Sequence, residues 1–147
     1  MIRFSNTIDI TRPPAEVFAY LADLEHTPQW NRAIASARKV TPGPVAIGSR
    51  FELTRSVPRP AVEVLEVTRL DPDRRIDVVG DLASLPAHLT YELSPSPHGT
   101  TLSNSIELEP GGPLGHFGSL LTGRVRASVS ENLGVLRSLL EARSGGD

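Results

Sequence analysis

Leu114–Ala142, LGHFGSLLTGRVRASVSENLGVLRSLLEA, carries Leu121, Val125, Val129, Leu133, Leu136 and Leu140 at spacings of 4, 4, 4, 3 and 4. That is a single apolar stripe at helical period. At ~1.5 Å per residue such a helix approaches ~40 Å. A chain of 147 residues needs a helix that long only if it lies across a broad sheet, so the segments before it are read for strands.

Working back from the helix, Thr101–Glu109 and His88–Leu93 flank Ser94–Gly99, a hairpin turn signal. Ile76–Gly80 follows the turn at Asp71-Pro72-Asp73, and Val62–Leu70 is rich in β-branched residues. The latter switches phase at Val64-Leu65, which predicts a bulge there. Arg50–Val57 alternates with Phe51, Leu53 and Val57 on one face, and Ile34–Thr41 is a weaker strand ending at Pro42-Gly43-Pro44. At the start of the chain, Ile2, Phe4, Ile8 and Ile10 share one phase and Arg3, Ser5, Thr7 and Asp9 the other, the pattern of a half-buried strand. Pro13-Pro14 then opens a helix, where a missing N–H costs nothing. Glu16 suits the positive end of its dipole, and Val17, Phe18, Leu21 and Leu24 form its apolar stripe. Pro28 interrupts that helix, so His26–Trp30 is a turn or a second short helix. The expected fold class is therefore α+β: about seven antiparallel strands, two short helices after the first strand, and a long C-terminal helix on one face.

Composition narrows the function. Residues 1–147 are expected to form one domain, with 143–147 a frayed tail. With no cysteine, disulfides, thiolate metal sites and cysteine nucleophiles are excluded. A net charge of −2 with scattered basic residues leaves no footprint for nucleic acid. The longest wholly apolar run, Val17–Ala22, falls far short of the ~18 residues of a membrane span. The first residues alternate instead of forming a leader, so a cytoplasmic protein is expected. Gly43–Arg50 lacks the lysine of a phosphate-binding loop and reads as a turn. His26, His88, His98 and His116 fall on different elements, which argues against a metal site, and no cofactor is indicated.

In order and local motif the chain resembles the START-like or Bet v 1-like helix-grip superfamily (SRPBCC). Within it, the likeness is to the polyketide cyclase/dehydrase and lipid-transport group. The matching residues are Pro14-Ala15-Glu16-Val17-Phe18, Leu21-Ala22-Asp23, Pro28-Gln29-Trp30-Asn31, Gly48…Phe51, Tyr91-Glu92-Leu93…Pro95, Gly99-Thr100-Thr101-Leu102 and Leu133…Leu136…Leu140-Glu141. The resemblance implies a curved sheet gripping the long helix around a cavity for an apolar ligand, closed at one end by the short helices.

That cavity suggests candidate ligand-binding residues. Trp30 either caps the core or walls the cavity. Asn6, Arg55 and Asn104 share the phase of apolar inward residues, and a polar group facing a closed core without a partner costs ~1–3 kcal/mol. Facing a cavity, they would orient a ligand. Tyr91, Phe51, Phe117, Leu120 and Leu121 are further candidates for the wall. Gly118, Gly123 and Gly134 would leave room for a ligand if they faced the sheet. Two functions follow as expectations. The first is a binding protein, monomer or homodimer, for a lipid, quinone or polyketide-like molecule. The alternative is a polyketide cyclase, aromatase or dehydrase, with Arg55, Tyr91 and His116 as catalytic candidates. Glu52 and Glu92 have outward phase, so no inward general base is expected.

Overall fold

In the computed structural model, residues 2–57, 59–82, 84–109 and 118–143 are described, with side chains from residue 123 onward in the last segment. The elements are β1 (Ile2–Ile10), α1 (Pro14–Ala22), a 3₁₀ turn (Leu24–His26), α2 (Thr27–Trp30), β2 (Ile34–Lys39), β3 (Arg50–Arg55), β4 (Ala61–Asp71), β5 (Arg75–Leu82), β6 (Leu85–Ser96), β7 (Gly99–Leu108) and α3 (Gly118–Ala142). The seven strands form one antiparallel sheet in the order β1-β7-β6-β5-β4-β3-β2. The expected helix-grip class is observed. Each strand after β2 is a hairpin neighbour of the one before, whereas β1 and β2 lie on opposite edges. The chain between them crosses the width of the sheet as α1 and α2.

The sheet's curvature has local causes. Register shifts occur between Ile34 and Ser36 and between Val67 and Arg69, and such bulges bend a strand and increase its twist. The second lies three residues beyond the expected Val64-Leu65 position. The phase before it is therefore Glu63, Leu65 and Val67 inward, with Val62 and Val64 left 65% and 48% exposed. At Gly80 the β4 backbone comes so close that a Cβ would lie 2.2 Å from the Val64 carbonyl oxygen. Only glycine permits that approach.

α3 is ~37 Å long at the standard rise and packs closest to β1. Its C-terminal end is fastened: Arg12 donates from Nε to the Leu140 carbonyl at 2.9 Å and from an Nη to the Glu141 carbonyl at 3.1 Å, and the Thr11 N–H donates to Glu141 Oε2 at 2.9 Å. The two Arg12 donors satisfy carbonyls that a helix terminus otherwise leaves open. Leu133, Leu136 and Leu140 are accordingly sealed in the core, while Val125 and Val129 are only partly covered. The helix is tightly seated at its C-terminal end; toward the other it stays beside β1 but leaves a gap over the inner faces of β3–β7. Gly123 and Gly134 do not make this room, since a Cβ at either would meet nothing within 4 Å; they lie off the packed stripe. Gly118 begins the helix. His116 and Phe117 lie outside the described residues, as do the side chains of Leu120 and Leu121 and the tail from 144.

Candidate functional site

Between the first half of α3 and the middle strands there is a cavity of about 440 Å³, walled by the inner faces of β3–β7, α2 and that half of α3. This lies within the usual range of ~300–1,000 Å³ for small-molecule sites. Its surface is mostly apolar, from residues such as Leu24, Leu53, Leu89, Ile106 and Val129. Burying apolar area is what drives a ligand into such a space, at ~25 cal/mol per Å².

Trp30 both caps the core and walls the cavity. It ends α2, is buried to 6% exposure, and meets Tyr91 edge-to-face with ring centroids 6.5 Å apart and planes at 88°. That geometry suits the quadrupoles of the two rings. The turn after Trp30 is held by its asparagine: Asn31 Oδ1 accepts from the Ala33 N–H at 3.0 Å. The Arg32 N–H donates across to Asn132 Oδ1 on α3 at 3.4 Å. These bonds tie the α2–β2 corner to the helix over the cavity.

Tyr91 and Asn104 are directly opposed in the β6–β7 register and both line the cavity. Asn104 is 1% exposed and donates from Nδ2 to the Thr90 carbonyl at 3.3 Å. Its carboxamide oxygen has no partner among the described residues, and neither does the Tyr91 hydroxyl. Burial pushes the Tyr91 phenol above its ordinary value, so it stays protonated and able to donate.

Arg55 also lines the cavity, but it does not stand alone. Its Nε donates to Glu63 Oε2 at 2.8 Å, with side chains 13% and 3% exposed respectively, and an Nη donates to the Val57 carbonyl at 3.3 Å. Glu63 is a buried inward carboxylate at a position that the strand's pattern does not mark as inward. The phase chosen by β4 put it there. The signal for it was Arg55 itself, since an inward guanidinium calls for an inward acid on a neighbouring strand. Glu63 sits behind Arg55 and does not line the cavity.

Two candidates are corrected. Asn6 has the inward phase and faces Asn104 across the β1–β7 pair, but α3 covers it: its Nδ2 donates to the Arg126 carbonyl at 3.4 Å, away from the cavity. Phe51 is 0% exposed within the core beside Leu65 and is also absent from the cavity wall. The candidates His116, Phe117, Leu120 and Leu121 fall outside the described side chains. Arg124, Ser128 and Asn132 of α3, which the sequence pattern does not mark, also line the cavity. They lie beside the apolar stripe, where a helix position reads as surface until the sheet is placed.

The outer face of the sheet carries paired charges beside the exposed Val62 and Val64. Arg38 meets Glu52 at 3.2 Å, Arg75 meets Asp77 at 2.7 Å, and His88 Nε2 lies 2.9 Å from Asp77 Oδ2. A more open depression of about 620 Å³ at the β4–β5 turn is lined by such side chains, including Arg69 and Asp71 at 2.9 Å, and lacks an apolar enclosure. Among the described residues no group of three metal-ligating side chains is placed to hold an ion, and no helix is long and apolar enough to cross a membrane.

A profile described as polyketide cyclase / dehydrase and lipid transport matches residues 1–141. A Mycobacterium tuberculosis protein named Toxin Rv0910 is 26% identical over 137 residues, covering 90% of this chain and 94% of that protein. A START superfamily protein from Mycobacterium smegmatis superposes with a TM-score of 0.73 at 18% identity, covering 95% of this chain and 99% of that one. The di-domain ARO/CYC StfQ from the steffimycin biosynthetic pathway gives a TM-score of 0.76 at 16% identity, covering 98% of this chain and 52% of that one. At these identities the two structures attest the fold.

Proposed function

The chain belongs to the polyketide cyclase / dehydrase and lipid transport family, and from that premise we propose that it binds one hydrophobic small molecule between its sheet and C-terminal helix. The observation that carries this reading is the cavity of about 440 Å³ between the first half of α3 and the middle strands. Its apolar wall supplies affinity. The open polar groups of Tyr91 and Asn104 supply orientation, as a few placed polar groups do in sites of this kind. A lipid, quinone or polyketide-like compound fits that description.

A second reading, a cyclase-type enzyme folding a poly-carbonyl chain, is favoured by Arg55, whose guanidinium could polarise a carbonyl, and by the protonated Tyr91 phenol. Among the described residues, however, no carboxylate and no histidine lines the cavity, so no general base is in reach of a substrate there. Binding is therefore the better-supported function.

The test is native mass spectrometry of freshly purified protein, followed by denaturing extraction. A discrete added mass that is lost on denaturation, and lost in Trp30→Ala, supports the reading. A clean apo mass, together with no change in Trp30 emission on adding apolar ligands, would refute it.

A further inference from the structure

Resting on that reading, the charges on the cavity wall narrow the ligand's class. Among the described lining residues the charged ones are Arg55 and Arg124; none is acidic. The two arginines differ in kind. Arg55 is engaged on both sides, by Glu63 Oε2 at 2.8 Å and the Val57 carbonyl at 3.3 Å. Its charge is already matched by a carboxylate that is 3% exposed. Arg124 has no ion pair and no side-chain hydrogen bond among the described residues. Its helical neighbour four residues on is Ser128, and the acids of α3, Glu131 and Glu141, lie off its turn. The site thus carries one unmatched positive charge beside an apolar surface.

We propose that the ligand is an amphiphile with a single anionic head group, which Arg124 takes while the apolar body lies against the sheet. A guanidinium presents a planar fork of donors to an anion, and charge-assisted hydrogen bonds of this kind are roughly twice as strong as neutral ones. A neutral head gains less at the same place. A cationic head meets the unmatched Arg124 with no acid on the wall to offset it, so it is rejected by repulsion. The unpartnered Tyr91 hydroxyl and Asn104 oxygen take a neutral group on the body of the ligand.

The experiment titrates the full chain with probes of one chain length and different heads: decanoate, decyl phosphate, decanol and decyltrimethylammonium, all below their micellar concentrations. Trp30 emission and calorimetry are the readouts. At least one anion binds tenfold or more tighter than decanol, the ammonium compound binds weakest, and the tighter anion identifies the head chemistry. In Arg124→Gln the ratio of anion to alcohol affinity falls to near one, and in Arg124→Glu the order of anion and ammonium reverses. Both substitutions are at one exposed helix position, so folding is checked simply by circular dichroism. Equal affinities for anion and alcohol in the wild type, or a preference that survives Arg124→Gln, overturns the proposal and leaves the cavity reading standing. Failure of all the probes to bind removes both.

Discussion

Substituting Arg55 by methionine removes a guanidinium from a carboxylate that is 3% exposed, 2.8 Å away. An exposed ion pair would contribute at most ~1 kcal/mol. Here the carboxylate stays in the interior when its cation is gone, and breaking a buried pair from one side costs ~3–5 kcal/mol. Arg55 retains 13% side-chain exposure, which places the loss near the lower end, ~3 kcal/mol. With an m-value of ~2 kcal/mol per M for urea, the unfolding midpoint falls by ~1.5 M. The corresponding drop in Tm is ~10 °C for a chain of this size. Replacing both members, Arg55→Met with Glu63→Leu, removes the buried charge as well as its partner. It therefore recovers most or all of that stability. Urea titrations followed by Trp30 emission, run on the wild type, both single variants and the double variant, measure the coupling directly. A loss below ~1 kcal/mol in Arg55→Met, or a double variant no more stable than the singles, would show that water screens the pair. Glu63 would then not be an interior carboxylate.

Three other outcomes are expected. Gly80→Ala forces a Cβ to within 2.2 Å of the Val64 carbonyl oxygen and costs several kcal/mol or prevents folding, whereas Gly134→Ala, with open space around it, gains ~0.5–1 kcal/mol from helix propensity; thermal melts read both. In alkali, burial raises the pKa of both Tyr20 and Tyr91, so the folded state holds protons that unfolded phenols release near pH ~10. Stability is then level below that pH and falls as pH rises above it, and Tyr91→Phe shallows the fall, as tyrosinate absorbance and melts at stepped pH will show. At the acid end, burial raises the Asp77 carboxyl, but hydrogen bonds from Arg75 and His88 outweigh it and the net direction is down. Its contribution is present above pH ~3.9 and is lost as pH falls through the lower folded value, so Asp77→Asn costs ~2 kcal/mol near neutrality and flattens the acid limb of the stability curve.

Local pattern set the elements, their order and, outside β4, the face each residue takes. Side-chain direction is a local property of a helix or strand: Ile2, Phe4 and Asn6 share a face by covalent geometry, and the stripe from Val125 to Leu140 follows from helical period. The motif order from Pro14 to Glu141 was likewise enough for the fold and the family. Which inward positions meet protein and which meet space followed from how the elements pack. Asn6 and Asn104 have the same phase, yet α3 covers one and leaves the other facing the cavity, because Arg12 fastens the helix end over β1. In β4 the run Val62-Glu63-Val64-Leu65 supports either phase. The register with β3 and β5 chose the one that buries Glu63 against Arg55 and leaves two valines exposed. Phe51 and Leu53 also alternate identically, but one lies under the core and the other on the cavity wall. Phase is set within a few residues of chain. Occupancy of the space in front of a face depends on where another element, the C-terminal helix, comes to rest, and no pattern within a strand carries that.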